Sequence, residues 1–143
     1  MHLALPSPAA THALAARVAS QVRPGDAILL EGPLGAGKSE FARAFLRSIT
    51  ANPALEVPSP TVPLVQTYDS PRGPIHHFDL WRLDGPAALE ELGWDELRRD
   101  IVLVEWPDRL ADLAPPDALT IRLAHAGPDA RDAEIDGWAG RLA

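Results

Sequence analysis

A glycine-rich segment joins a short apolar run to an amphipathic stretch in the first third of the chain. The run is Ala27–Leu30, and the residues from Gly32 to Ser39 match the spacing G-x-x-x-x-G-K-S. Glycines let the backbone wrap closely around a ligand and point successive N–H groups at a phosphate, and the following helix adds its positive end. This spacing predicts a phosphate-binding loop between a buried strand and a helix over Lys38 to about Ile49.

The side chains of this loop predict a nucleotide bound together with Mg²⁺. The Lys38 ammonium group supplies positive charge for the β- and γ-phosphates and is an expected catalytic residue, and the Ser39 hydroxyl is a hard oxygen ligand for the metal. The sequence contains no Asn-Lys-x-Asp segment of the kind that reads guanine, which favours ATP over GTP. The expected nucleotide-binding residues of the loop are Pro33, Leu34, Gly35, Ala36, Gly37, Lys38 and Ser39.

Alternation of strand-like and helix-like segments predicts an α/β fold. A chain of 143 residues, 46% of them apolar, has the size and composition of one globular domain, which we expect over residues 1–143. The fold class is a single P-loop NTPase domain with a central mixed, mostly parallel sheet flanked by helices. Besides the loop and its neighbours, the expected helices are Ser7 or Thr11 to Val22, Ala87–Leu92, Asp95–Arg99 and Pro107–Leu113, and the expected strands are Val65–Tyr68, Ile75–Trp81, Ile101–Val104, Ala118–Leu123 and Asp132–Ile135.

Two acidic residues follow apolar strands and are candidates for the chemistry at the phosphates. Glu105 follows Ile101–Val104, and Asp79 follows Ile75–Phe78. Ligands of open α/β sheets bind at the carboxyl ends of the strands, so we expect both carboxylates near the γ-phosphate. Both are expected catalytic residues, with Glu105 beside Mg²⁺ and Asp79 orienting or deprotonating the attacking water, although the two roles are exchangeable.

Two further polar features leave alternatives open. Ser59-Pro60-Thr61 lies in a proline-rich loop, where a hydroxyl that reaches the metal or γ-phosphate and an ordinary turn have the same composition. His76 and His77 are neighbours on an expected strand and so point to opposite faces. They cannot form one metal-binding pair, and we expect them to pack or to make local hydrogen bonds.

Composition excludes several functional classes. The net charge of −7 repels phosphate backbones, which disfavours a broad nucleic-acid surface, and the absence of cysteine excludes thiol chemistry and Cys-based zinc sites. No apolar run approaches the roughly 18–20 residues that span a bilayer. The N-terminal segment lacks the basic start of a secretion signal. We therefore expect a cytoplasmic protein that does not contact a membrane.

Several blocks of the sequence together suggest a family. They are Thr11, Pro24-Gly25-Asp26, Leu34–Ser39, Ser59-Pro60-Thr61, His77–Leu83, Glu91-Leu92-Gly93 and Val104–Leu110. In this order they resemble the TsaE family, bacterial P-loop ATPases involved in making the threonylcarbamoyladenosine modification of tRNA. The resemblance extends from Thr11 to about Leu113. Pro33 stands where the family commonly has Asp, and it removes one backbone N–H from the loop entrance.

The resemblance implies an assembly as well as a fold. A TsaE-like ATPase is weak alone and works with TsaB and TsaD, where TsaD carries the transfer chemistry, so that contact with tRNA is indirect. By motif position, Lys38 would bind phosphate, and Ser39 and Glu105 would bind Mg²⁺. Thr11 would lie near the nucleotide, as would Arg131 if it corresponds to a late arginine site of the family. Asp79 and Trp106 fall in motif blocks linked with activity.

Two other functions are compatible with the phosphate loop. One is a small-molecule phosphotransferase, which needs room for an acceptor and a mobile basic lid, and the sequence has no Arg-rich insertion for a lid. The other is a binding module that ATP switches without significant turnover. Slow intrinsic hydrolysis is expected because no obvious arginine finger, worth about 10³–10⁵ in rate, is present beyond Arg72, Arg82 and Arg109.

Overall fold

The computed structural model of the chain describes residues 1–60, 63–138 and 140–142. Its helices are α1 (Pro8–Gln21), α2 (Lys38–Ile49), α3 (Pro86–Glu91) and α4 (Trp94–Leu97), with a 3-10 helix over Pro107–Leu113. Its strands are β1 (His2–Leu5), β2 (Ala27–Glu31), β3 (Val65–Tyr68), β4 (Ile75–Asp79), β5 (Ile101–Glu105), β6 (Leu119–His125) and β7 (Arg131–Asp136). No helix in these described ranges has the length and apolar character to cross a bilayer.

The seven strands of the described residues form one sheet in the order β1-β7-β6-β2-β5-β4-β3. The four central strands β6, β2, β5 and β4 pair in parallel, and the three outer pairings are antiparallel. Five of the seven strands consequently run in the same direction, with β7 and β3 reversed. The mixed, mostly parallel α/β sheet predicted from the sequence is confirmed.

Both faces of the central strands are buried, as their continuous apolar sequences predict. In β2, Ile28 and Leu30 pack on the side of α1 and α2, whereas Ala27 and Leu29 pack on the opposite side. The opposite core contains Phe78 and Trp94, whose rings meet edge-to-face with centroids 5.3 Å apart. Because neither face meets solvent, the strands hold their carboxyl ends rigidly at one edge of the sheet.

Of the two starts predicted for the first helix, Ser7 is confirmed, and the helix after β5 differs from its prediction. α1 begins after Ser7, whose hydroxyl accepts a hydrogen bond from the Ala10 amide at 3.3 Å, so Thr11 lies inside the first turn rather than at the start. The predicted helix after β5 is a 3-10 helix interrupted at Ala111, which has φ of 50°. A non-glycine residue in that conformation breaks regular helical hydrogen bonding.

Two strand predictions need correction. The sequence pattern does not predict β1, which forms an edge strand and, among the described strands, pairs with β7 alone, near the other end of the chain. β4 ends at Asp79 instead of Trp81, since the Leu80 amide donates to the Glu105 carbonyl oxygen and the Trp81 amide donates to the Asp79 carboxylate. These bonds turn the chain away from the sheet directly after the acidic residue.

Candidate functional site

The loop between β2 and α2 adopts a backbone that only glycine enters readily. Gly37 precedes α2 with φ of 104°, and Gly32 follows β2 with φ of 145°. The N-terminus of α2 has no side-chain cap. Its first-turn N–H groups and its positive dipole end are therefore available to an anion in the loop.

Lys38 is almost fully buried at the centre of the loop. Its ammonium nitrogen lies 3.4 Å from the centroid of the Trp106 ring and donates to the carbonyl oxygen of Gly32. Burial lowers the pKa of the Lys38 ammonium, and the nearby charges of Glu105, Asp79 and Asp108 oppose that shift. The side chain is thus held by groups of the protein itself.

Trp106 reaches Lys38 through an unusual backbone conformation. It follows the last residue of β5 with φ of 58° and ψ of 54°, a left-handed geometry that costs a tryptophan about 1–3 kcal/mol. Its ring also contacts Trp81, with centroids 4.3 Å apart. Residues in strained conformations cluster at functional sites. Trp106 is one of five non-glycine residues with positive φ in the described part of the chain, and its ring contacts Lys38.

The two predicted carboxylates lie side by side. Asp79 and Glu105 are register partners at the ends of β4 and β5, and they are 6% and 4% exposed. The Ser39 hydroxyl donates to Glu105 Oε1 at 3.5 Å, and the Asp79 carboxylate accepts from the Trp81 amide at 3.1 Å. Strand order and register therefore deliver both acids to the start of α2.

A cavity of about 320 Å³ is bounded by the loop and these carboxylates. The residues predicted for the site that line it are Leu34, Gly35, Gly37, Lys38, Ser39, Asp79, Glu105 and Arg131. Ser59 also lines it, whereas Thr61 of the same predicted segment lies outside the described residues. Pro33, Ala36 and Thr11 do not line the cavity; the Ala36 amide donates to the Pro33 carbonyl oxygen at 3.1 Å.

The chain matches the family described as "Threonylcarbamoyl adenosine biosynthesis protein TsaE" over residues 5–133. The chain belongs to the TsaE family. Similar proteins named "tRNA threonylcarbamoyladenosine biosynthesis protein TsaE" occur in Rickettsia felis, with 36% identity over 79% of this chain and 66% of that protein, and in Bacillus subtilis, with 34% identity over 88% and 78%. The match thus spans just under two thirds of the Rickettsia felis protein.

A solved structure has the same fold as this TsaE family member. The crystal structure of YdiB from Bacillus subtilis superposes with a TM-score of 0.73 at 28% identity, covering 93% of this chain and 82% of that chain. The superposition therefore includes nearly all of this chain. The family match over residues 5–133 includes the loop between β2 and α2.

Arg131 and Thr11, which the TsaE resemblance places near the nucleotide, differ in their relation to the loop. Arg131 begins β7, donates to the Gly35 carbonyl oxygen at 3.4 Å, and would lie 3.4 Å from a Cβ atom at Gly37. Thr11 is buried in α1. Next to it, His12 Nε2 lies 3.1 Å from the Glu40 carboxylate, which brings this turn of α1 beside the start of α2.

The available oxygen atoms suit a magnesium ion bound together with phosphate. Ser39 and Glu105 offer a hydroxyl and a carboxylate, and Asp79 adds a second carboxylate. In the part of the chain that the structure describes, no three His, Cys, Asp or Glu side chains form a metal cluster. Mg²⁺ commonly uses one or two carboxylates and completes its shell with phosphate oxygens and water, so this donor set fits it.

One polar residue at this edge of the sheet was expected from the sequence only to pack or to make a local hydrogen bond. His77 Nε2 lies 2.7 Å from Glu105 Oε2, and the imidazole is 2% exposed. As predicted, His76 points to the other face, where it contacts Thr67 at 2.8 Å and Asp100 at 2.8 Å. The contact of His77 with Glu105 depends on the pairing of β4 with β5, which the sequence pattern does not define.

Proposed function

We propose that this chain binds ATP with Mg²⁺ and hydrolyses it slowly, as a partner-activated ATPase of threonylcarbamoyladenosine biosynthesis on tRNA. The observation that carries the proposal is the convergence of Lys38, Ser39, Asp79 and Glu105 on one cavity under the N-terminus of α2. The relatives named for this biosynthesis support the process. TsaB-like and TsaD-like proteins are the proposed partners, in the cytoplasm, with tRNA contacted only through them.

Phosphate binding uses the main chain and one ammonium group. The amides of the loop and of the first turn of α2 bind the phosphate oxygens, and Lys38 moves from the Trp106 face towards the β- and γ-phosphates. Arg131, anchored to the carbonyl of Gly35, adds positive charge at the rim of the same cavity.

The two carboxylates, Glu105 and Asp79, have different proposed roles at the γ-phosphate. Ser39 and Glu105 would hold Mg²⁺, which neutralises developing charge on the phosphate oxygens. Asp79, next to Glu105 across the sheet, orients the attacking water or accepts its proton. Its backbone hydrogen bond from Trp81 keeps the carboxylate at the carboxyl end of β4.

Slow hydrolysis by the isolated chain is expected, because the three arginines considered as fingers do not line the cavity. Arg131 does line it, and its guanidinium is engaged with the Gly35 carbonyl oxygen. Arg72 donates to the carbonyl oxygens of Val22 and Ser20, and Arg109 donates to that of Leu83, so each is engaged elsewhere. Neither lines the cavity, and Arg82 does not line it either. Partner binding is the expected source of acceleration.

The rim of the cavity carries apolar surface that a partner protein is able to cover. Leu34 is 71% exposed and Trp81 is 43% exposed, and both line the cavity. Large exposed apolar side chains are typical of interaction surfaces, and Trp is favoured at binding hot spots. Docking there would close the site over a bound nucleotide.

ATPase activity with and without purified TsaB and TsaD tests the proposal. We expect slow turnover alone and faster turnover in the mixture, with ATP outcompeting GTP for binding. Lys38→Ala should abolish binding or turnover, while Glu105→Ala weakens Mg²⁺-dependent hydrolysis more than nucleotide affinity. Arg122→Ala is the matched control, since it removes an exposed cation paired with Glu31 and Asp136 away from the cavity.

Four results would contradict parts of this assignment. Turnover by the isolated chain near about 10 per second, a typical enzyme value, argues against partner activation. Wild-type activity in Glu105→Ala refutes the metal assignment. Phosphorylation of a small metabolite by the pure protein favours a phosphotransferase, and ATP binding without turnover in the full mixture favours a switched binding module.

A further inference from the structure

We propose that His77 is a positioning residue that fixes the orientation of the Glu105 carboxylate for binding a divalent cation with ATP. The inference rests on the proposed function, because it assigns a partner to the acid that would hold the ion. It concerns a residue that does not touch the nucleotide and acts only through Glu105.

The contact is short, buried and correctly directed. His77 Nε2 lies 2.7 Å from Glu105 Oε2, and the two side chains are 2% and 5% exposed. Residues 75, 77 and 79 of β4 share a face with residues 101, 103 and 105 of β5, since side chains alternate along strands and the two strands pair in parallel. That face is the one covered by α2, so His77 lies behind Glu105 as seen from Ser39.

When Glu105 is ionised and the imidazole is neutral, only one tautomer of His77 satisfies this contact. A carboxylate only accepts hydrogen bonds, so Nε2 must carry the hydrogen, and Nδ1 is then the bare nitrogen. Nδ1 has no hydrogen-bond partner among the described residues, in agreement with a ring held by its other nitrogen. A hydrogen bond to a charged, water-excluded carboxylate is about twice as strong as a neutral one.

Holding Oε2 leaves the other oxygen in a defined place. Glu105 Oε1 faces the Ser39 hydroxyl, which donates to it at 3.5 Å. A free glutamate loses side-chain entropy on being fixed, and His77 has already fixed this one before any cation arrives. A smaller cavity of about 150 Å³ is lined by Ser39, Ser59, His77 and Glu105, so the histidine borders the space of the proposed metal ligands.

His76 provides a built-in comparison. It is 4% exposed and its Nε2 also lies 2.8 Å from a carboxylate, but that carboxylate is Asp100 on the opposite face of the sheet. Loss of His76 therefore removes a contact between a buried histidine and a carboxylate that is 37% exposed, without touching Glu105. The two neighbouring histidines separate a positioning role from a merely structural one.

The decisive measurement is Mn²⁺ affinity in the presence of ATP, followed by electron paramagnetic resonance. We expect His77→Phe, which keeps a flat ring but removes the donor, to weaken Mn²⁺ binding about 10–100-fold. His77→Gln, whose amide nitrogen donates from a similar distance, should recover most of that affinity, and His76→Phe should stay within about twofold of wild type. ATP affinity in EDTA should be unchanged in all three variants.

A second measurement on the wild-type protein is independent of how the variants fold. In ¹⁵N NMR spectra of histidine-labelled protein, His77 should carry its hydrogen on Nε2. Its signals should shift with Mg²⁺ and ATP together, and not with ATP in EDTA. Assignment comes from the peak that disappears in His77→Gln.

The outcomes distinguish a failure of this inference from a failure of the proposed function on which it rests. If wild-type protein does not bind ATP with Mn²⁺, the proposed function fails. If wild type binds both but His77→Phe retains wild-type Mn²⁺ affinity, or if the hydrogen of His77 resides on Nδ1, the positioning role is overturned and the proposed function stands. Equal losses in His77→Phe and His76→Phe would also overturn it, because they indicate a general loss of folding stability.

Discussion

Replacement of Gly32 by alanine should destabilise the whole fold and not only the phosphate loop. Gly32 has φ of 145°, and a Cβ atom there would press against the carbonyl oxygen of Leu123 and lie 3.3 Å from its carbonyl carbon. Leu123 belongs to β6, which pairs with β2 on one side and with β7 on the other, so this carbonyl has little room to move.

The expected magnitude combines two terms. The backbone conformation costs alanine about 1–3 kcal/mol, and overpacking against a fixed strand costs about 1–3 kcal/mol more. A total of about 2–6 kcal/mol is a large part of the about 5–15 kcal/mol that stabilises a typical domain. At about 3 °C per kcal/mol for a chain of this size, the melting temperature should fall by about 6–18 °C.

Urea denaturation followed by circular dichroism measures this loss, and Gly25→Ala is the matched control. Gly25 also has positive φ, at 94°, but no atom lies within 4 Å of the position that a Cβ atom would take there. Only the backbone term applies at this glycine, so we expect a loss of about 1–3 kcal/mol. If Gly32→Ala is no less stable than Gly25→Ala, the packing of the loop entrance against β6 is refuted.

Three further substitutions test the core and the loop. Tyr68→Phe should stabilise by about 1 kcal/mol at neutral pH, because the buried hydroxyl has no partner among the described residues. Burial raises the pKa of the Tyr68 hydroxyl, so the unfolded chain loses this proton at a lower pH than the folded chain does. The free energy of unfolding of the wild type, measured by urea titration, should therefore fall above about pH 10, and that of Tyr68→Phe should fall less. Phe78→Ala should cost about 3–5 kcal/mol in the same urea assay by removing the contact with Trp94, and a loss below about 1 kcal/mol would contradict that packing. Mg²⁺ with ATP should change tryptophan emission as Lys38 leaves the Trp106 ring, and an undiminished change in Trp106→Phe would show another source.

The phosphate loop and the strand-end acids could be predicted because their signals are local. A motif fixes the residues from Gly32 to Ser39, and an apolar run that ends in an acid places Glu105 or Asp79 at the carboxyl edge of the sheet. The pairing of β4 with β5 places the two acids side by side. Their separate roles stay a prediction, since side-by-side carboxylates look alike in sequence and geometry.

The features that escaped prediction depend on contacts between distant parts of the chain. β1 is four residues long and pairs with a strand more than a hundred residues away, so its sequence has too few alternating positions to identify it. His77 meets Glu105 only through the strand register. Lys38 lies on Trp106 only because the backbone turns left-handed after β5, which no periodicity in the sequence signals.

The contact of the Lys38 ammonium group with the Trp106 ring competes with the binding of phosphate to the same ammonium group. A phosphate must draw the ammonium away from an aromatic face and from the Gly32 carbonyl before gaining its attraction. An ion that makes few other contacts with the loop gains little from that exchange. A triphosphate bound as proposed would make more contacts, so we expect this exchange to favour ions that carry several phosphates.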